Sequence, residues 1–146
     1  LVKIIKDNIK LLSQIDSSIK INLKFAKSTI SLESDKEQMS RVIFNLIKNS
    51  IESIQQKAEN ANNFDKIIDI EIYEKNNQIY IIIIDNGSGF GNFSNNLNEI
   101  LNPYVTTKKN GTGLGLSIVN KIINDHNGKL NFVSLTNGAK VEIIFN

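Results

Sequence analysis

The sequence predicts an α+β domain, a two-layer sandwich in which about three helices cover one face of a mixed, mostly antiparallel sheet of about five strands. Two patterns and the length predict this class. Short apolar runs of strand length recur along the chain, and three longer segments carry apolar residues at helical spacing. The 146 residues suffice for one core and show no internal repeat.

Two elements precede the first long helix. Helical spacing of apolar residues predicts a short helix over 1–13, and we interpret 1–18 as the C-terminal end of a preceding helical region or linker. Alternation from Ile19 to Phe25 predicts a half-buried strand, and Ile30 and Leu32 predict a second short strand. The chain opens without methionine or a signal-peptide layout. We therefore expect a part of a longer protein, with one domain over 19–146.

The central part predicts a long helix and then two paired strands. The sequence SDKE at 34–37 has the form of a capping box, so we expect a helix from there to about Ala58. Alternation over 68–72, a tight turn at Asn76-Asn77 and the continuous apolar run 79–84 predict the strands. The helix carries one apolar stripe, formed by Met39, Val42, Ile43, Leu46, Ile47, Ser50 and Ile54.

The last third begins with a long polar segment, 86–112, which has little periodicity and predicts a functional loop. A helix follows over 114–126 and is ended by Asn127-Gly128. The segments 130–135 and 139–145 predict a closing hairpin around Asn137-Gly138.

Composition excludes several classes of function. The net charge is +2 and no Lys/Arg cluster occupies one predicted face, so we expect no nucleic-acid partner. There is no cysteine, which excludes disulfides and thiolate metal sites. The longest apolar run, 79–84, is too short to cross a bilayer, so we expect no membrane contact by this fragment.

Glycine is concentrated where chemistry is expected, since all eight glycines lie at or after Gly87. The first glycine-rich box is DNGSGF at 85–90. Asp85 ends the buried strand, and a buried carboxylate needs a donor such as the amino group of adenine. Gly87 and Gly89 would let the backbone approach a flat ring. The alternative is a tight turn with a capping aspartate.

The second box is GTGLGL at 111–116, and it leads directly into a helix. Backbone N–H groups and the positive helix end attract phosphate there, while Leu114 and Leu116 can anchor the loop in the core. The alternative is a hinge before a helix. The box follows a polar loop and not a strand, and no Lys-Ser/Thr follows it, so neither the Rossmann fingerprint nor the Walker A box is present.

Two further groups of polar residues are candidates. Asn45 and Asn49 lie one turn apart at the edge of the apolar stripe, and their amide oxygens could ligate Mg²⁺, with Glu52 placed to bind or polarise a metal-bound water. Their alternative is a pair of surface asparagines. Thr106, Thr107 and Lys108 could contact a terminal phosphate, or lie in an exposed loop. His126, the single histidine, is expected as a helix-dipole partner and not as a catalyst.

In this order the four groups resemble the N, G1, F and G2 boxes of the catalytic domain of sensor histidine kinases, within the Bergerat-type ATPase superfamily. The N box is similar to NLIKNSIES at 45–53, G1 to 85–90, the F box to PYVTTK at 103–108, and G2 to 111–116. The resemblance covers the chain from about Ile19. The YVTTK run and the DHNG ending at 125–128 are most similar to the nitrogen-regulation subgroup.

The resemblance implies the Bergerat fold and roles for these residues. Asp85, with Gly87 and Gly89, would hold adenine, and Asn49, helped by Asn45, would bind Mg²⁺. The lid, about 91–110, would close over ATP. The phosphate contacts would come from Thr106, Thr107, Lys108, Gly111, Thr112, Gly113, Leu114, Gly115 and Leu116. Catalytic roles would fall to Asn45, Asn49, Glu52 and Lys108.

The resemblance also implies partners and a location. ATP would supply its γ-phosphate to a histidine on the protein's own dimerisation domain, for relay to the receiver domain of a response regulator. The parent would be a homodimer anchored in the bacterial inner membrane, with this domain in the cytoplasm. His126 lies beyond G2 and does not match the acceptor position. Leu101 and Asn102 replace the usual aromatic before Pro103, so we expect a looser lid anchor.

Three alternatives remain open within the same fold. Gyrase-, chaperone- and mismatch-repair-type ATPases place a glutamate where Asn45 stands, and an amide cannot act as that base. An anti-sigma-type serine kinase would phosphorylate a partner protein. A non-catalytic nucleotide-binding module is disfavoured by the presence of Asn49, Asp85 and the G2 glycines.

Overall fold

The computed structural model describes residues 1–61, 63–93, 96–105 and 113–146. Within these residues the elements follow one another as α1 (Val2–Leu12), β1 (Lys20–Phe25), α2 (Lys36–Ala58), β2 (Ile67–Lys75), β3 (Gln78–Asp85), α3 (Gly115–Asp125), β4 (Lys129–Leu135) and β5 (Gly138–Phe145). Two short 3-10 helices, Gly91–Phe93 and Leu97–Leu101, lie within the segment expected to be a plain loop.

The five strands form one mixed sheet in the order β1-β2-β3-β5-β4. Only β1 and β2 pair in parallel, and the other three pairs are antiparallel. The register aligns Ile72, Ile81 and Ile143 across the three central strands. This arrangement confirms the predicted α+β class, and it places the run 79–84 in the middle of the sheet.

The core lies between one face of the sheet and α2. Alternate residues of β2, β3 and β5 are buried there, and the stripe predicted on α2 packs over them. Both α1 and α3 contact α2. On α1, Val2, Ile5 and Leu12 join this core, and the Asn8 side chain donates a hydrogen bond to Ser40 Oγ at 3.0 Å. The domain boundary at residue 19 stays a prediction.

The strand predicted at Ile30 and Leu32 is wrong. Neither residue lies in a strand, although Ile30 is only 2% exposed and belongs to the core. The apolar alternation there reflects the burial of a connecting segment, and burial alone does not produce a ladder partner.

The start of α2 is displaced by one residue from the predicted capping box. Asp35, and not Ser34, is the N-cap, and its Oδ1 accepts a hydrogen bond from the Gln38 N–H at 2.8 Å. Both residue types cap well, and a carboxylate gains further from the positive end of the helix. The predicted end of the helix at Ala58 is confirmed.

His126 connects α2 and α3. The Asp35 N–H donates to His126 Nε2 at 3.1 Å, and His126 Nδ1 lies 2.8 Å from the carbonyl oxygen of Ile122. This geometry fits the neutral ring with its proton on Nδ1, since Nε2 must accept. His126 therefore ties the C-terminus of α3 to the N-terminus of α2.

The predicted turns are present, with asparagine in the left-handed conformation. Asn76 and Asn77 both have positive φ, 52° and 61°, as a two-residue hairpin turn requires. At the end of α3 Asn127 takes φ 55°, and the Gly128 N–H donates to Ile123 O at 2.9 Å. Short polar turns thus set the register of the sheet at the end away from Asp85.

The capping assignment makes a prediction about stability. Asp35→Ala should lower the free energy of unfolding by about 1 kcal/mol, because it removes the side-chain cap of α2. Ser34→Ala, the matched control, should change it little. Urea denaturation of the two variants measures both values, and a larger loss for Ser34→Ala would contradict the assignment.

Candidate nucleotide site

Asp85 is the buried carboxylate of the molecule's central strand. It is the last residue of β3, it is 5% exposed, and it pairs with Ile68 of β2 and Ala139 of β5. Its Oδ1 accepts hydrogen bonds from the Gly87 N–H at 2.9 Å and from Ser53 Oγ at 3.3 Å. The fold thus fixes an acceptor at the sheet edge, directed toward the C-terminal half of α2.

Burial raises the pKa of Asp85 above its ordinary value of 3.8. The Gly87 N–H, the hydroxyls of Ser50 and Ser53 and the charge of Lys57 act in the opposite direction. The desolvation cost is the largest of these effects, so the ionised carboxylate is only partly compensated by the protein. A ligand that brings N–H donors would supply what is missing.

The first glycine box packs against α2 through backbone contacts. A Cβ on Gly87 would lie 2.3 Å from Ser53 Oγ and 2.5 Å from the Ser53 backbone carbon. The Ser88 N–H donates to the Ser53 carbonyl oxygen at 3.0 Å. Glycine at 87 is therefore required by the contact with the helix. The role of Gly87 and Gly89 against a flat ring stays a prediction.

The other side of this box contacts the turn between β4 and β5. A Cβ on Gly138 would lie 1.9 Å from the Asp85 carbonyl oxygen, and Gly138 has φ 104°. Gly89, with φ 72°, lies close to Gly138 O. The first glycine box is thus held between α2 and the β4–β5 turn. The contact with the turn was not predicted from the sequence.

Asn45 of α2 faces the N-terminus of α3. Its Nδ2 donates to the Arg41 carbonyl oxygen at 2.8 Å, and its Oδ1 would lie 3.4 Å from a Cβ on Gly115, the first residue of α3. The amide is therefore turned so that its oxygen points toward the second glycine box. The N box and G2 thus approach each other at these two residues.

Asn49 and Glu52 lie further along the same helix. Both are half-buried, and Glu52 pairs with Lys48 at 3.8 Å. Amide and carboxylate oxygens are hard ligands of the type that Mg²⁺ prefers, so this donor set fits the ion. Among the described residues no cluster of three or more His, Cys, Asp and Glu side chains forms a separate metal site.

Gly113, of the second glycine box, lies beside Tyr104. The Tyr104 N–H donates to Gly113 O at 3.0 Å, and a Cβ on Gly113 would lie 2.5 Å from the Tyr104 backbone. Leu116 is half-buried and packs against the core, as expected for an anchor of this box, and Leu114 is the N-cap of α3. Tyr104 itself is 78% exposed.

Five predicted site residues lie outside the described residues. They are Thr106, Thr107, Lys108, Gly111 and Thr112. Their roles, and the looser lid anchor inferred from Leu101 and Asn102, stay predictions.

Two residues of the Asp85 environment were missed as site residues. Ser50 and Ser53 lie on the side of α2 that meets the end of β3, and both donate to the carboxylate. The signal for Ser50 was its place in an otherwise apolar stripe, where a polar residue needs a buried partner. Ser53 gave no comparable signal.

Comparison with known proteins agrees with this geometry. Residues 34–146 match the family described as histidine kinase-, DNA gyrase B- and HSP90-like ATPases. The chain is 32% identical over 133 residues to the sensor histidine kinase ZraS of Escherichia coli K12, covering 90% of this chain and 26% of that protein.

Two further relatives are similar over shorter stretches of the chain. Sporulation kinase A of Bacillus subtilis is 34% identical over 112 residues, covering 77% of this chain and 17% of the relative. The nitrogen regulation protein NtrY of Azorhizobium caulinodans is 37% identical over 94 residues, covering 64% of this chain and 12% of the relative. The chain thus spans about a quarter or less of the length of these relatives.

The fold is shared with solved catalytic domains. A nucleotide-free catalytic domain of the histidine kinase ThkA superposes with a TM-score of 0.81 at 25% identity, covering 99% of this chain and 91% of that one. The mycobacterial sensor histidine kinase MprB gives a TM-score of 0.80 at 17% identity, with coverage of 98% and 91%, and shows the fold alone. The chain therefore belongs to the histidine kinase-, DNA gyrase B- and HSP90-like ATPase family, as an ATP-binding catalytic domain of the sensor histidine kinase type.

Proposed function

We propose that this domain binds Mg-ATP and transfers the γ-phosphate to a histidine on a separate dimerisation domain, for relay to a response regulator. The observation that carries the proposal is the buried Asp85 carboxylate at the end of β3, which contacts Ser53 of α2, the same helix whose Asn45 faces the start of α3. Family membership supports ATP as the nucleotide.

The adenine end of the proposed site is Asp85. An ionised carboxylate accepts and cannot donate, so it suits the exocyclic amino group of adenine and disfavours a ring that presents a carbonyl there. The partly compensated charge supplies the energetic reason for binding.

The phosphate end of the proposed site lies between α2 and the start of α3. Asn49 and Asn45 would hold Mg²⁺ with their amide oxygens, and Glu52 would orient a metal-bound water. The N-terminus of α3, with Gly113, Leu114 and Gly115, would face the phosphates. We place Gly111, Thr112, Thr106, Thr107 and Lys108 on the same phosphates by the family pattern alone.

The phosphoacceptor is proposed to lie on another domain. His126 is the single histidine of the sequence, and both ring nitrogens already contact backbone groups of α2 and α3. We propose that the parent acts as a homodimer, that its receiver-domain partner takes the phosphate from the dimerisation domain, and that this domain works in the cytoplasm beneath a membrane-anchored parent. No helix among the described residues has both the length and the apolar character needed to span a membrane.

Phosphotransfer from labelled ATP to the dimerisation domain of the same parent tests the proposal. The wild-type domain should label the acceptor histidine. Asp85→Asn should bind ATP at least roughly tenfold more weakly and transfer little phosphate, because a charged group that only accepts is replaced by a neutral amide that also donates. Asp7→Asn, at an exposed position of α1, is the matched control. Fast hydrolysis without an acceptor would favour the hydrolase branch, labelling of a serine the anti-sigma type, and binding without transfer a non-catalytic module.

The same variant has an expected effect on stability. The pKa of Asp85 is raised in the folded state, so its ionised form opposes folding at neutral pH, and Asp85→Asn should then unfold at equal or higher denaturant. The advantage over wild type should shrink as the pH falls through the raised folded pKa and level off below about 3.8, where the unfolded group is protonated too. Denaturation of both proteins over this range measures it, and a constant difference would refute the raised pKa.

Asn49→Ala separates metal binding from nucleotide binding. We expect it to weaken ATP binding strongly in the presence of Mg²⁺ and little in the presence of a chelator, because the lost group is a metal ligand. Calorimetry under both conditions measures the ratio of the two losses, with Asn60→Ala, at an exposed position just after α2, as the control. Equal losses in both conditions would refute the metal role.

A further inference from the structure

Lys57 lies in the last turn of α2 and reaches three separate parts of the chain. Its Nζ donates to the Asn86 carbonyl oxygen at 2.7 Å and to Asn137 Oδ1 in the β4–β5 turn, and it lies 4.7 Å from the centre of the Phe64 ring. The side chain is half-buried. A lysine held by three partners has lost the conformational freedom usual for this residue on a surface.

The contact with Asn86 is linked to Asp85 through one peptide group. The carbonyl that accepts from Lys57 and the N–H that Gly87 donates to Asp85 Oδ1, at 2.9 Å, belong to the same Asn86–Gly87 peptide. An ammonium on the oxygen of an amide polarises it and strengthens its N–H as a donor, so the two hydrogen bonds reinforce each other.

The remaining contacts of Asn86 orient this peptide. Asn86 Oδ1 accepts from the Ile67 N–H at 3.0 Å, and Asn86 Nδ2 donates to the Asp65 carbonyl oxygen. The side chain of Asn86 is thus fixed to Asp65 and to the first residue of β2, while its backbone carbonyl is left for Lys57. Rotation of the Asn86–Gly87 peptide would break its hydrogen bonds to Lys57 and to Asp85 Oδ1.

We propose that Lys57 is a positioning residue of the ATP site, which acts through the Asn86–Gly87 peptide to hold the Asp85 carboxylate in the orientation that receives adenine. This inference rests on the proposed function of Asp85. Lys57 does not touch the base; it acts on the group that does.

Lys57 also affects the pKa of Asp85 through its charge, which an uncharged hydrogen-bond donor at the same place would not do. The elements packed around Asp85 contribute Ile68 from β2, Ala139 from β5, and Ser50 and Ser53 from α2, and none of these titrates in this range. Lys57 is the charged side chain that lowers the pKa of Asp85. Removing it should raise that pKa further, so ATP binding should fall off at a higher pH than in wild type.

Three variants of Lys57 test the proposal, by calorimetry of ATP binding from acidic to neutral pH. Lys57→Met keeps an unbranched apolar side chain and should weaken ATP binding by roughly three- to tenfold at neutral pH, the loss expected for one net hydrogen bond. The pH at which ATP binding weakens on acidification should be higher than in wild type. Lys57→Arg should stay near wild type. Lys121→Met, which removes an exposed lysine paired with Asp125 on α3, is the matched control.

The remaining variant separates charge from hydrogen bonding. Lys57→Gln keeps N–H donors without the charge. ATP binding should therefore weaken at the same raised pH as in Lys57→Met, while the loss of ATP affinity at neutral pH should be smaller. It also keeps the proposal testable if Lys57→Met does not fold.

The outcomes distinguish the two levels of the argument. A Lys57→Met or Lys57→Gln protein that folds and binds ATP with the wild-type pH dependence would overturn the positioning role. This holds even if its affinity is lower by the same factor at every pH, because such a loss indicates a purely structural contact. Failure of wild type to bind ATP at all would instead overturn the proposed function.

Discussion

The burial of Asp85 against α2 is the constraint on which the rest of the site depends. A carboxylate at the end of the central strand cannot be solvated where it lies, so the structure must surround it with donors. Those donors come from one helix and one turn: Ser50 and Ser53 on α2, and the Gly87 N–H. Donation by a backbone N–H requires the chain after β3 to turn back within two residues, which places the first glycine box on the surface of α2.

One helix therefore builds both ends of the site. Near its middle α2 presents Asn45 toward the start of α3, and two turns later it presents Ser53 to the first glycine box. Because α2 is a single helix of 23 residues packed on the sheet, the spacing between these ends is fixed by the helical rise and not by loop conformation. His126 adds a second tie between α2 and α3 at the far end of the pair.

The sequence predicted what depends on local pattern and missed what depends on tertiary partners. The stripe on α2, the buried strand ending at Asp85 and the Asn76-Asn77 turn follow from periodicity and turn chemistry, and all are present. Ile30 shows the same alternation as a strand, yet it lies in no strand, and its carbonyl oxygen accepts a hydrogen bond from the Leu1 ammonium. The packing of Gly138 on the Asp85 carbonyl depends on a neighbour distant in the chain, and Asp35, which caps α2 in place of Ser34, also contacts the distant His126. The roles of the four boxes were inferred from the family resemblance, because hydrophobic periodicity predicts secondary structure and not the role of a residue.

The amide at position 45 also bears on the chemistry of the γ-phosphate. Its Nδ2 is used by the Arg41 carbonyl, so its oxygen is held toward Gly115 and the whole group is fixed without carrying charge. A glutamate there has no N–H to give to Arg41, and it would add a base beside the proposed phosphate subsite, where a water could be activated. An amide accepts no proton at neutral pH, so water at this place gains no base from residue 45. Under the proposed function, the side chain that would orient the metal would also offer no base for hydrolysis, which would leave the γ-phosphate for a protein acceptor.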